Sequence, residues 1–274
     1  MENENIPKFY DEYDGPMELM LVNPGFPNLI RDCHKKIRDS TTVRVMVLEE
    51  DMHCSVECLA CLCDYWDYLF LMSEINVKAL QAMGHYNVRL MLPACDHTIF
   101  HPAEMPYRNT VTFLGNLDIV YKLAKVNHIN GTRIEILQAI KRTYGDAAFI
   151  WGRDSDRGFY AEEANTLYND SKICLDLPVM SVVGPRFFQA GASNGCMMLP
   201  WAYTRSSLFK ESFKEGTDYI CFTGGVEGCL KCLEESLKEP DKLKEISESL
   251  RTKILAEHTF KNRLKQILET TCLA

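Results

Sequence analysis

The sequence predicts an α/β protein built as two Rossmann-like domains facing a cleft. Three observations predict it. Short β-forming runs alternate with helical patterns along most of the chain. The runs are continuously apolar rather than alternating, as expected when helices cover both faces of a parallel sheet. The series stops once, at a proline-containing stretch with no periodicity, and then begins again. At 274 residues the chain also has the length of about two domains.

The first series opens with a strand at 17–23, a helix at 28–40 and the strand VRVMVLE at 43–49. A helix at 55–63 leads to a strand at 68–72. The next helix, 75–83, is closed by Gly84, where a C-terminal cap takes glycine. A strand at 88–93 completes this half. Residues 96–108, DHTIFHPAEMPYR, hold two prolines and read as a linker, with Asp96, His97 and His101 as capping residues.

The second series places strands at 111–116, 147–152, 172–177, 196–201 and 219–223. Helices at 132–144, 161–170, 185–194 and 206–213 separate them. Everything from Glu227 onward reads helical, with Pro240 in the first turn of a new helix. Leu243, Ile246, Leu250, Ile254 and Leu255 keep an amphipathic period, and Phe260, Leu264, Ile267 and Leu268 continue it. The expected organisation is a first domain over 1–104, a second over 105–255 and a terminal helix over 256–274.

Hydrophobic residues make up 46% and charged residues 25%, a globular composition that excludes a disordered or collagenous chain. Thirty Lys and Arg against 38 Asp and Glu leave a net charge of −8, so no basic surface invites nucleic acid or anionic lipid. No apolar run, that at 68–72 included, comes near the roughly 20 residues of a membrane span. The acidic start (Glu2, Glu4, Asp11, Glu12, Asp14) is the opposite of a leader peptide, and a cytoplasmic protein is expected.

Twelve cysteines include two CxxC spacings, Cys58/Cys61 and Cys229/Cys232. Zinc would use them only if the pairs met in space. Cys54, Cys58 and Cys61 instead fall at i, i+4 and i+7 of a helix face, and Cys229/Cys232 sit in a helical pattern. They are expected to be reduced thiols acting as small buried hydrophobes. No metal and no cofactor is called for.

Four stretches resemble one family. LPACDHTIFHP (92–102) is similar to its "lP-x-x-D-x-x-x-F-x-P" segment, and VTFLGN (111–116) to its "F-x-G-N" strand and loop. SKICLD (171–176) followed by GPRFFQAGASNG (184–195) resembles its "sKi-x-Ln … R-x-F-E-a-x-a-x-G" core. AEHTFKNRLKQIL (256–268) resembles its terminal "a-e-H-T-y-x-x-R-x-x-x-il" helix. The family is the GT-B glycosyltransferases of the spore-maturation-protein type, similar to family 4 (glycosyl transferases group 1).

The resemblance implies a GT-B-like fold whose helical C-terminus crosses back to the first domain. It implies transfer of a hexose or pentose from a UDP- or GDP-linked donor to a glycan or other hydroxyl acceptor, without a metal. The second domain would hold the donor, and the first would be a shortened acceptor-side domain. Self-association into a homo-oligomer stays open.

Site residues follow from both lines of reading. The leaving diphosphate gains negative charge, which a metal-free enzyme meets with Arg, Lys and helix N-termini. Arg186 begins a helix introduced by Gly184-Pro185, and the resemblance puts it and Lys172 at the diphosphate; the plainer alternatives are a surface ion pair and a solvated strand end. Arg133 matches a family arginine, and in a first turn it opposes the helix dipole, although an exposed helix residue would do the same. Gly115 and Asn116 end one strand; Trp151 and Gly152 end another and would wall the base, unless Trp151 simply packs in the core. Gln189 stands where the family has a Glu that accepts from the ribose hydroxyls, and Ser181 where relatives carry another Glu. Asp51, after the strand at 43–49, matches a family aspartate and is the candidate general base.

Two other layouts remain. Asp154-Ser155-Asp156 follows a strand, as in metal-dependent GT-A transferases, although the second α/β series and the terminal helices argue for a surface loop there. Gln189, Ser181 and the short first half are also what a catalytically inactive, transferase-shaped binding or assembly protein would carry.

Overall fold

The computed structural model describes residues 17–22, 41–48, 54–115, 133–152, 161–177, 183–200 and 206–271. The helix expected at 28–40 lies outside them. The chain divides into two units, residues Met1–Met91 with Glu269–Ala274, and Leu92–Leu268.

In the first unit the described elements are β1 (Met17–Val22), β2 (Thr41–Leu48), α1 (Val56–Cys63), β3 (Tyr68–Leu71), α2 (Glu74–Ala82) and β4 (Val88–Leu90). The strands form a parallel sheet in the order β1-β2-β3-β4. Apolar side chains of β2 and β3 (Met46, Leu48, Leu69, Leu71) meet Leu59, Trp66, Val77 and Leu80 in one core. Each helix starts at a serine that accepts from the backbone three residues on, Ser55 from Cys58 at 3.3 Å and Ser73 from Asn76 at 3.4 Å. Gly84 has φ +95°, the left-handed conformation its capping position requires. Arg44 and Asp67 form a two-pronged pair (2.8 and 3.0 Å) that ties β2 to the start of β3. The Arg44 hydrogen bond holds the Asp67 carboxyl below its ordinary range, against burial.

The cysteine stripe corrects one expectation. Cys58 and Cys61 are exposed and Cys54 is half-buried. Leu59 and Cys63 turn the i, i+4 face of α1 to the sheet, so the stripe beside them faces water. Cys63, Cys95, Cys174, Cys196 and Cys229 are core residues, while Cys221 and Cys232 are half-buried. Burial pushes the thiols of Cys63 and Cys95 up to about 11 and those of Cys196 and Cys229 to about 12. The ten described cysteines are free thiols.

The second unit carries β5 (Asn109–Leu114), α3 (Arg133–Tyr144), β6 (Ala148–Trp151), α4 (Ala161–Asn169), β7 (Ser171–Leu175) and α5 (Pro185–Ala192). Then come β8 (Met197–Pro200), α6 (Ser207–Ser212), β9 (Ile220–Phe222), α7 (Gly225–Ser236), α8 (Pro240–Glu257) and α9 (Phe260–Thr271). Its sheet is parallel, in the order β6-β5-β7-β8-β9. The unit begins at Leu92, ahead of the expected 105, because the linker is hydrogen-bonded into it. Asn165 accepts from His101 N–H (3.1 Å), and Asn169 accepts from Ala103 N–H (2.8 Å).

α5 positions the site, and α8 positions α5. Gly191 lets the two helices touch: a Cβ there would lie 2.5 Å from Ile254 Cδ1 and 2.7 Å from Leu250 Cδ2. Phe187 of α5 packs edge-on to Phe209 and Phe213, with ring centroids about 5 Å apart. Leu243, Ile246, Leu250 and Ile254 bury the inner stripe of α8 as the period predicts. Leu255, one residue off that stripe, is exposed, and so are Phe260 and Leu264, which come after the chain is re-aimed by a break at His258.

That break is a latch. Cys95 pairs with Thr259 as an isolated bridge, and the Arg263 guanidinium donates to the carbonyls of Leu92 (2.6 Å) and Pro93 (2.9 Å). β4 ends at Leu90 rather than running on to Pro93, because its partner strand, β3, ends at Leu71 opposite Leu90.

Among the described residues, no helix is long and apolar enough to cross a membrane. No three His, Cys, Asp or Glu side chains among them gather to hold a metal ion.

Candidate functional site

From β5 the chain moves outward to β6 on one side, then returns past β5 to lay down β7, β8 and β9 on the other. The strand order therefore reverses between β5 and β7. At such a switch point the connections leave to opposite sides, opening a crevice beyond the carboxyl ends of the strands.

Gly115 follows β5 there, and Asp176 and Leu177 follow β7. Arg186, in the first turn of α5, reaches across: its Nη1 donates to Asp176 Oδ1. The guanidinium carbon lies 5.0 Å from the ring centroid of Phe113, a fully buried residue of β5. Gly115 is the floor of this contact. A Cβ there would stand 2.6 Å from Arg186 Nη2 and 2.7 Å from Phe113 Cζ, so only glycine leaves room. The Gly115 N–H donates to the Trp151 carbonyl at 3.1 Å, joining the ends of β5 and β6.

A second guanidinium meets the same ring. Arg133, at the start of α3, is 5% exposed, donates from Nε (2.8 Å) and Nη2 to the Leu177 carbonyl, and lies 5.5 Å from the Phe113 centroid. The exposed-helix alternative for Arg133 is thereby excluded. Its positive charge opposes the α3 dipole, and the Leu177 carbonyl and the ring face offset part of that cost. Asp176 is almost wholly buried, and among the described residues its Oδ2 has no hydrogen-bond partner. Arg186 keeps 21% of its side chain exposed.

The structure thus brings together Gly115, Arg133 and Arg186, with Trp151 adjoining through its carbonyl. The Trp151 side chain is half-buried against the core. Gly152 follows it, half-buried. Gly184 is the N-cap of α5 at φ −85°, with open space where a Cβ would go. Pro185 supplies no N–H, and the Phe187 N–H turns back to Gly184 O at 3.2 Å, so the helix start is less open than expected. Gln189 is half-buried one turn beyond Arg186.

Lys172 is not brought to this group. It is exposed on the second residue of β7, about 13 Å of extended chain from Asp176 and at the other end of the strand. Asn116, Asp51, Ser181 and the Asp154/Asp156 pair lie outside the described residues.

Sequence reasoning missed Phe113, Asp176 and the Leu177 carbonyl. Phe113 gives no signal, since an aromatic in an apolar strand reads as core. Asp176 gives one: a lone carboxylate closing the apolar run ICL stands at the strand end where α/β sites form.

Residues 133–269, half of the chain, match the family model described as glycosyl transferase-like. The chain belongs to the glycosyl transferase-like family. Its enzyme class is that of the glycosyltransferases. Sucrose-phosphate synthase from Thermosynechococcus elongatus superimposes with a TM-score of 0.65 at 10% identity, over 97% of this chain and 76% of that one. HepE of Anabaena in complex with UDP gives 0.66 at 10% identity, over 98% and 81%. A TarM mutant of S. aureus, in a complex that includes UDP, gives 0.62 at 8% identity, over 92% and 54%. At such identities the likeness concerns the fold, and the fold of this glycosyl transferase-like protein is GT-B. No curated protein sequence matches it significantly.

Proposed function

We propose that the protein moves a sugar from a UDP- or GDP-linked donor to a hydroxyl acceptor, on a glycan or otherwise, without a metal and in the manner of the spore-maturation branch. The second unit is the donor side and the first the acceptor side. Arg186 carries this reading: a partly exposed arginine whose guanidinium is placed on an aromatic ring at the switch point of the sheet. As the anomeric C–O bond breaks, the leaving diphosphate gains charge, and a pre-positioned guanidinium stabilises it without reorganising. Arg133 adds fixed positive potential over the same ring. UDP is favoured because HepE, of the same fold, has been solved with UDP and with UDP-glucose.

Gln189 offers one neutral acceptor to a ribose hydroxyl. Asp51 is proposed as the base that takes the acceptor proton, and Asn116 and Gly152 as walls of the donor site. Calorimetric titration with UDP, UDP-glucose, GDP and GDP-mannose, with and without EDTA, tests the reading. Micromolar binding of one nucleotide that survives EDTA supports it. Binding that appears only with Mn²⁺, or none at all, rejects it.

A further inference from the structure

Arg186 is not a free cation. Its Nη1 is committed to Asp176 Oδ1, and the other carboxylate oxygen is buried with no partner among the described residues. Were an incoming phosphate to pull Arg186 away, a buried carboxylate would keep neither oxygen satisfied, an arrangement proteins avoid. Arg186, whose side chain is 21% exposed, therefore stays paired when a ligand arrives.

Its place does not depend on that pair alone. The Phe113 ring lies against the guanidinium at 5.0 Å, and Gly115 backs Nη2 so closely that no methyl would fit. What Asp176 adds to the site is negative charge.

Resting on the donor-site reading above, we propose that Asp176 is a built-in counter-anion for Arg186, which weakens the arginine's hold on nucleoside diphosphate and so sets how fast the product leaves. The chemistry requires some such device. Cleavage of the sugar–phosphate bond leaves a terminal phosphate with one more ionisable oxygen, so the product diphosphate is more negative than the donor. An uncompensated arginine would bind product more tightly than substrate, and release often limits turnover in such enzymes. A fixed carboxylate repels the more charged species more, which narrows the difference.

Asp176→Asn tests this, since it keeps an acceptor for Nη1 and removes the charge. UDP, or GDP if the wild type binds that instead, should bind about tenfold tighter at low salt. This is the lower end of what one nearby unit charge does to an ionic equilibrium. Its dissociation in stopped-flow displacement should slow by a similar factor, and added salt should shrink the gain. Asp176→Ser carries the same expectation where the amide is not tolerated. In an Arg186→Met background the gain should vanish. Variants that fold and bind no tighter, a gain that persists without Arg186, or failure of both variants to fold would each overturn the proposal. A wild type that binds neither nucleoside diphosphates nor pyrophosphate overturns the donor-site reading itself.

Discussion

Gly115 and Arg186 are 71 positions apart in sequence (186 − 115), yet a single methyl at the first would stand 2.6 Å from Nη2 of the second. The glycine is thus part of the arginine's seat. Its role is steric, since its φ lies outside the left-handed region.

Gly115→Ala should therefore push on two groups at once, the Arg186 guanidinium and the buried Phe113 ring at 2.7 Å. Overpacking of this kind costs about 1–3 kcal/mol, a drop of several degrees in Tm for a protein of this size. Nucleoside diphosphate affinity should fall with it. Calorimetry and a thermal melt check both. An alanine variant with the wild-type melt and affinity would mean that Arg186 does not occupy this seat in solution.

Arg186→Ala removes the proposed diphosphate contact outright. A charge-assisted contact to phosphate is worth about 1.5–3 kcal/mol. Part of it is realised only as the leaving group gains charge. The expected loss in kcat/KM is roughly 10- to 200-fold, together with a lower Tm because the buried Asp176 loses its partner. Arg186→Lys should recover only part, because an ammonium replaces the planar fork that lies on Phe113. Steady-state kinetics with the donor that titration identifies measures this.

The thiols divide by location. Cys58 and Cys61 should react first with a thiol reagent under native conditions. Cys95, Cys196 and Cys229, buried and with raised pKa values of about 11 to 12, should react only on unfolding. Peptide mapping after timed alkylation reads this directly. Replacing Cys58 and Cys61 by Ser should shift stability by no more than about 0.5 kcal/mol each.

Local pattern carried much of this architecture. Runs such as VMVL and LFL could be read as strands because burial on both faces leaves no polar position. Sheet order could not be read, since nothing local says that β7 returns to the far side of β5, and that reversal makes the site. Arg133 stood out because a cation in a first helical turn is unfavourable without a partner; the partner, Leu177 O, is 44 residues away. Lys172 was misplaced because its motif marks the start of β7, whereas the site gathers at the strand's end. The stretch AEHTFKNR had a visible pattern whose meaning is tertiary: Thr259 and Arg263 hold the backbone at 92–95.

His258 gives the sharpest test of that latch. It is 4% exposed, its ring 4.7 Å from Phe213 and 5.5 Å from Phe188. Arg263 can only donate, so the Nδ1 that faces it must accept, and the imidazole is neutral with its proton on Nε2. Burial, then the cations of Arg263 and Lys253, push its pKa down to about 3. In the unfolded chain the same group titrates at roughly 6.5. Between these values the unfolded state takes up a proton that the folded state refuses, so stability must fall as pH drops below about 6.5. The slope is about 1.4 kcal/mol per pH unit, or roughly 2 kcal/mol by pH 5, above the range where most carboxylates begin to protonate. Above pH 7.5 this contribution is flat. His258→Gln keeps an acceptor for Arg263 and cannot titrate. It should be less stable at pH 7 through lost ring packing, yet should show no such slope between pH 6.5 and 5. Urea midpoints across that window compare the two. Parallel curves would mean that His258 is protonated, or exposed, in the folded protein and that the latch is built differently.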